Sequence, residues 1–196
     1  MKTKILTMLT VVLLGFGTVT QTNAQDTLKN SGQNLTKQEK RELRKQQREA
    51  YNQSQFEKAK SALENGNWVL EANRLYTKWG RTINVSDQTN FVSLENNTAY
   101  MQLAFDNRIG PNGLGGITLK GTPSDIKMTE DKNGNITYSM TVLGNALTAT
   151  ITVRLGDGNS YADAEVNAIT SSARLRFAGS LVPVDESTTY RSGMDF

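Results

Sequence analysis

Residues 136–155 read ITYSMTVLGNALTATITVRL. Ile136, Tyr138, Met140 and Val142 alternate with Thr137, Ser139 and Thr141. After Gly144-Asn145 the alternation resumes, with Leu147, Ala149, Ile151, Val153 and Leu155 set against Thr148, Thr150, Thr152 and Arg154. A side-chain period of two, broken by a turn pair, predicts an antiparallel hairpin with one buried and one wet face. The pattern recurs on both sides. Ala99, Met101, Leu103 and Phe105 alternate with Tyr100, Gln102 and Ala104, and shorter runs stand at 117–119, 126–128, 162–166 and 175–177. Asn96-Asn97, Asn133-Gly134 and Asp157-Gly158-Asn159 fall between the runs as hairpin signals. No strand-helix-strand alternation occurs, which argues against a parallel sheet. The expected fold is mainly β (α+β): an N-terminal helix followed by an antiparallel meander of about eight or nine strands, an open barrel or sandwich-like.

Upstream of residue 66 the period is 3.6. Thr36-Lys37-Gln38-Glu39 fits a capping box that starts a helix, and Asn65-Gly66 supplies its stop. Its first half, Lys37 to Glu49, is almost wholly charged or Gln, with Leu43 the one large apolar residue. In its second half Phe56, Ala59 and Leu63 share a face, which predicts docking on the β domain. Lys40, Arg41, Arg44, Lys45 and Arg48 read either as a basic patch for an acidic polymer or as a solvated face. The interleaved Glu39, Glu42 and Glu49 favour the face.

The start of the chain predicts export. Met1-Lys2-Thr3-Lys4 is basic, Ile5 to Val19 is apolar, and Thr22-Asn23-Ala24 offers small residues for a peptidase. The apolar run falls short of the roughly 20 residues of a spanning helix. Cleavage after Ala24 is therefore expected, with Gln25 to Leu35 as a flexible leader and residues 66–190 as the β-rich domain. Asp26-Thr27-Leu28 matches a bacterial O-glycosylation tripeptide, and also reads as plain linker. No later stretch is apolar enough to predict a membrane span.

Composition narrows the chemistry. The chain has 22 Lys+Arg, 19 Asp+Glu and no His or Cys. Removing Lys2 and Lys4 with the signal leaves 20 against 19, a net charge of +1, so nothing calls for nucleic acid. Without Cys and His there is no disulfide framework, thiol nucleophile, Ser-His-Asp triad or ordinary zinc site. Carboxylate chemistry, a Lys or Tyr base, or an oxygen-ligand metal site remain for an enzyme. No cofactor or metal is expected. Asp131 to Asn135 and Asp157 to Asn159 lack the Gly at position 6 and the terminal Glu of calcium loops and read as turns.

Five stretches carry a resemblance. Asn67 to Ala72 with Arg74-Leu75, Asn90 to Leu94, Ala99 to Phe105, Gly110 to Thr118 and Gly179 to Pro183 are similar to the secreted bacterial domain-of-unknown-function family 4251. The resemblance spans Phe56 to Pro183. It implies export to the periplasm, the envelope or the surface of a Gram-negative bacterium. It supplies no activity, substrate or site residues.

The candidate binding residues are Trp79, Arg108 and Asn112. Gly110-Pro111-Asn112-Gly113-Leu114-Gly115-Gly116 is a Gly-rich loop without the Lys-Ser/Thr ending or following helix of a phosphate loop. It reads as a connection that needs positive φ or close backbone approach, or as a binding loop with Asn107, Arg108 and Asn112 as its polar contacts. Trp68, Tyr76 and Trp79 lie among Arg74, Lys78 and Arg81. Such rings and donors suit a sugar face, although Trp68 beside Val69 and Leu70 reads as core. Asp163 and Glu165 share the wet face of one strand. They read as a solvent face or, less simply, as an acid/base pair. The leading expectation is a noncatalytic secreted module that binds an envelope glycan or a protein partner. The alternatives are an envelope structural or assembly factor acting through its helix, and a carboxylate-based hydrolase.

Overall fold

A computed structural model describes residues 36–106, 108–146, 148–169 and 171–193. The expected signal peptide and leader, Asn107, and the place of Leu147 in its strand alternation lie outside the described residues. The chain divides into two compact units, 1–40 and 41–196. In the first, the capping box is formed: Thr36 N donates to Glu39 Oε2 at 2.7 Å and Glu39 N to Thr36 Oγ1 at 3.3 Å. This box opens α1, Lys37–Asn65.

α1 stops at Gly66, whose φ of 64° a side chain would resist. Gly66 N bonds Leu63 O and Asn67 N bonds Ala62 O, which is the Schellman pattern. Phe56, Ala59, Ala62 and Leu63 are buried and join the apolar cluster of the β domain. Lys58–Glu186 and Lys60–Glu130 ion pairs, both 2.7 Å, flank that face.

Among the described residues nine strands follow: β1 (Trp68–Thr77), β2 (Thr82–Asn84), β3 (Phe91–Glu95), β4 (Thr98–Leu103), β5 (Ile117–Glu130), β6 (Ile136–Leu143), β7 (Thr148–Leu155), β8 (Tyr161–Ala168) and β9 (Arg174–Pro183). Every pairing is antiparallel. β9 returns to β1, from Trp68↔Pro183 to Thr77↔Leu175, so β1 and β3 to β9 close an eight-strand barrel. β2 is the extra strand, paired to the second half of β1 where β3 no longer reaches. Closure removes the exposed edges an open meander would leave.

An eight-strand barrel has a lumen that side chains can fill. Here Trp68, Leu70, Met140, Ile151, Phe177 and Leu181 are all at most 1% exposed and belong to one cluster. Trp68 meets Tyr138 edge-on, with ring centroids 5.7 Å apart. Burial pushes the Tyr138 phenol above its ordinary value of 10.0. Neither its oxygen nor Trp68 Nε1 makes a hydrogen bond of sound geometry, although a weak interaction with Trp68 opposes the effect of burial.

Two sequence expectations need revision. The runs at 117–119 and 126–128 are not separate strands. They are the two halves of β5, joined through an irregularity between Ser124 and Lys127 where Asp125 takes φ +51°. Gly121, Pro123 and Asp125 mimic a turn in sequence, yet a bulge keeps the pairing with β6. The outer face is also not uniformly wet. Val69, Phe91, Ser93 and Gln102 point away from the lumen and are buried. The segment 187–192 lies against this face. Ser187 and Thr188 bond Glu71, Arg191 pairs with Glu95, and Tyr190 and Ser192 bond Gln102.

Antiparallel order gives the barrel two ends. α1 packs at the end that carries the start of β1, the Asn96-Asn97 turn and the β5–β6 turn. The opposite end carries the β1–β2 turn, the Gly-rich loop between β4 and β5, and the β6–β7 and β8–β9 connections.

Candidate functional site

The β1–β2 turn is tight. Gly80 N bonds Thr77 O at 2.9 Å, Thr77 N bonds Arg81 O at 3.0 Å, and Gly80 takes φ +76°. Four residues therefore reverse the chain, and the second of the two at its tip is Trp79. Its ring is 77% exposed, with Lys78 Nζ 4.8 Å from the ring centroid. Trp68, by contrast, is wholly buried in the lumen.

Asn112 organises the Gly-rich loop. Its Oδ1 accepts from Leu114 N and Gly116 N, and its Nδ2 donates to Leu103 O and Thr118 Oγ1. It is 1% exposed, so its side chain is spent inside its own loop. Gly115 takes φ +76°, and a Cβ on Gly116 would stand 2.0 Å from Leu103 O. Both glycines are there for backbone geometry. Arg108 is exposed on the same loop, with its guanidinium 5.9 Å from the Phe105 ring centre. The open end thus presents Trp79 and Arg108 to solvent, while Asn112 holds the loop from within.

Two depressions lie at or near this end. One, of about 330 Å³, is an apolar dip at the barrel mouth lined by Met101, Leu103, Leu119, Val166 and Leu175, with Arg174 at its rim. The other, of about 380 Å³, is polar and lies on the outer face. It is lined by Tyr76, Thr77, Lys78, Gly80, Thr82, Glu165, Arg174 and Arg176. Lys78 and Gly80 are the sequence neighbours of Trp79. The register Tyr76↔Arg176↔Glu165 across β1, β9 and β8 assembles this cleft. Sequence reading missed it because the strand pairing that joins residues 76, 165 and 176 is invisible in an unpaired chain. The available signal was the alternation of Arg174 and Arg176 around Leu175.

Inside the cleft Arg176 stacks on Tyr76, with its guanidinium carbon 4.2 Å from the ring centre. Its Nε faces Asp163 at 3.5 Å. Glu165 is held by Arg174 at 2.6 Å, Asn167 at 2.7 Å and Arg154 at 3.8 Å. The Arg174 and Asn167 hydrogen bonds keep its carboxyl below the ordinary 4.5. A general acid at neutral pH needs the opposite shift. Asp163 pairs with Arg176 and Glu165 with Arg174 and Arg154, so the outward strand face they share is a charged lattice.

Asp131 has a turn role. Its Oδ1 accepts from Asn133 N and Asn135 N, and Oδ2 accepts from Asn135 Nδ2, which lowers its pKa. Among the described residues no group of three or more Asp, Glu, His or Cys is placed to hold a metal. No described helix is long and apolar enough to cross a membrane.

The sequence profile of the family described as Domain of unknown function (DUF4251) matches residues 50–181. A solved structure of a DUF4251 family protein from Bacteroides eggerthii is similar at 36% identity and a TM-score of 0.61. The match covers 71% of this chain and 94% of that one. No curated protein matches. The chain belongs to the DUF4251 family.

Proposed function

We propose that this DUF4251 chain is an exported, noncatalytic binding module that takes a glycan at the open end of its barrel. One observation carries the reading: Trp79 is 77% exposed at the tip of a tight turn, between two residues that line a polar cleft. An indole face with one polar edge stacks well on the apolar face of a sugar. Arg108, exposed on the β4–β5 loop at the same end of the barrel, is the second proposed contact. Asn112 contributes by fixing that loop.

Pull-down with peptidoglycan and host glycans tests the site. Trp79→Ala is expected to abolish capture and to leave melting unchanged. A Trp79→Ala chain that binds as wild type does overturns the assignment. Export is supported by the Met1 to Ala24 pattern. Mass spectrometry of protein from its native host should find Gln25 first, and a retained Met1 would overturn that claim.

A second reading, an envelope assembly factor, is favoured by residues 37–51 of α1, which are exposed throughout. It predicts that crosslinking through the lysines of Lys37 to Lys60 captures one defined envelope protein. Failure to do so at native expression removes it.

A further inference from the structure

We propose that the outer cleft beside Trp79 selects an acidic sugar, with a carboxylate held by Arg176 and Lys78 and the ring stacked on Trp79. This rests on the reading of that surface as a glycan site and names its ligand class. The lining carries three cations, Lys78, Arg174 and Arg176, against one carboxylate, Glu165. These charges are not equally committed. Glu165 is already paired with Arg174 and Arg154 and accepts a hydrogen bond from Asn167, so Arg174 and Glu165 cancel as a pair. Arg176 meets Asp163 only through Nε, at 3.5 Å, and that buried nitrogen has no hydrogen-bond partner, while its guanidinium carbon lies 4.2 Å from the Tyr76 ring centre. Neither terminal nitrogen of Arg176 has a hydrogen bond or ion pair among the described residues, and a guanidinium edge can take a planar carboxylate. Lys78 has no ion pair among the described residues, and its ammonium stands over the Trp79 ring. Thr77 and Thr82 add hydroxyls at the cleft wall. An aromatic plate beside the unpaired Lys78 and the free terminal nitrogens of Arg176 suits a ligand with an apolar ring face and an anionic substituent. A neutral sugar would leave the cations unanswered. A free anion would leave the ring unused.

The test is titration calorimetry on the full chain with oligogalacturonate and hyaluronan oligosaccharides, each beside its carboxyl-reduced neutral form. At least one acidic probe should bind about tenfold tighter than its neutral form. Arg176→Gln should remove about that factor, and Arg176→Lys should restore only part of it. Lys78→Gln supplies an independent loss if the Arg176 variants fail to fold. Arg44→Gln, on the exposed half of α1, should change nothing. Equal binding of acidic and neutral forms, both lost in Trp79→Ala, overturns the acidic claim and leaves the glycan site standing. Acidic binding that falls equally in Arg44→Gln, or is indifferent to Arg176→Gln and Lys78→Gln, is nonspecific attraction and also overturns it. No binding of any probe by folded wild type overturns the acidic claim, and the pull-down with peptidoglycan and host glycans decides the glycan reading separately.

Discussion

Gln102→Leu removes a side chain whose four hydrogen bonds are all internal. Gln102 is fully buried on the outer face of β4. Its Nε2 donates to Thr89 O at 2.9 Å and Tyr190 O at 2.8 Å. Its Oε1 accepts from Thr118 Oγ1 at 2.8 Å and Ser192 N at 2.9 Å. Leu has similar volume and answers none of them. Thr89 O loses its side-chain donor, the Thr118 hydroxyl keeps Asn112 Nδ2 but loses its acceptor, and a buried group left without a partner costs about 1–3 kcal/mol. Tyr190 O and Ser192 N can return to water, but only if the segment 187–192 lifts. Lifting forfeits the buried bond from Ser192 Oγ to Asn112 O and the exposed Arg191–Glu95 pair, the latter worth about 1 kcal/mol or less. Apolar burial by Leu offsets about 1–2 kcal/mol. The net expectation is a loss of about 2–4 kcal/mol in denaturant unfolding, with faster tryptic cleavage at Arg191. Tyr138→Phe is the control. It deletes a buried hydroxyl that makes no hydrogen bond of sound geometry, so its cost should stay within about 0.5 kcal/mol or turn favourable. The reasoning fails if Gln102→Leu unfolds with wild-type stability, or if Tyr138→Phe costs as much.

Phe56→Ala opens a cavity where α1 meets the barrel and should cost about 3–5 kcal/mol, read by chemical denaturation. Deleting residues 26–49 should leave the melting temperature of the barrel intact. Equal melting of wild type and Phe56→Ala would show that α1 does not dock as described. Glu165 has a depressed folded pKa, so its contribution is present above its ordinary 4.5 and is lost as pH falls through the folded value. Glu165→Gln should therefore flatten the fall in melting temperature below about pH 4.5. An unchanged acid limb in the variant would mean that the Arg174 contact contributes nothing to stability.

Local pattern revealed the class and the main hairpins of this fold. Alternation at 136–155 is a property of each strand's own side chains, and so is the Phe56, Ala59 and Leu63 face. What stayed hidden depends on pairing at a distance. Gln102 sits in the polar phase of its strand and looks wet, yet Tyr190 and Ser192 arrive 88 and 90 residues later to bury it. Asn112 looked like a free polar contact because nothing local says that it feeds Leu114 N and Gly116 N. Trp79 was legible as an outlier, since Gly80 after it breaks the alternation and turns the chain. The charged cleft was not, because the residues that make it come from four strands.

The seam that closes the barrel is also what presents Trp79. β1 must leave β3 and continue beside β2, and it does so at one level. Ala72 pairs with Gly179, Arg74 with Ala178, and Asn73 is the extra residue between them. Bulges of this kind bend a strand and increase its twist. On the other edge of β1, Ala72 N bonds Asn90 O and Asn73 O accepts from Val85 N, which marks the change of partner from β3 to β2. Gly179 permits the close approach this needs, because a Cβ there would stand 1.9 Å from Glu71 O. Beyond the bulge the upper half of β1 stays paired to β9 while β2 replaces β3. That exchange builds the short hairpin with Trp79 at its tip, and it leaves Tyr76 beside Arg176 on the outer face. The glycine at the seam and the exposed ring at the open end are thus two consequences of one register change, and the cleft between them is where sequence motif and surface chemistry meet.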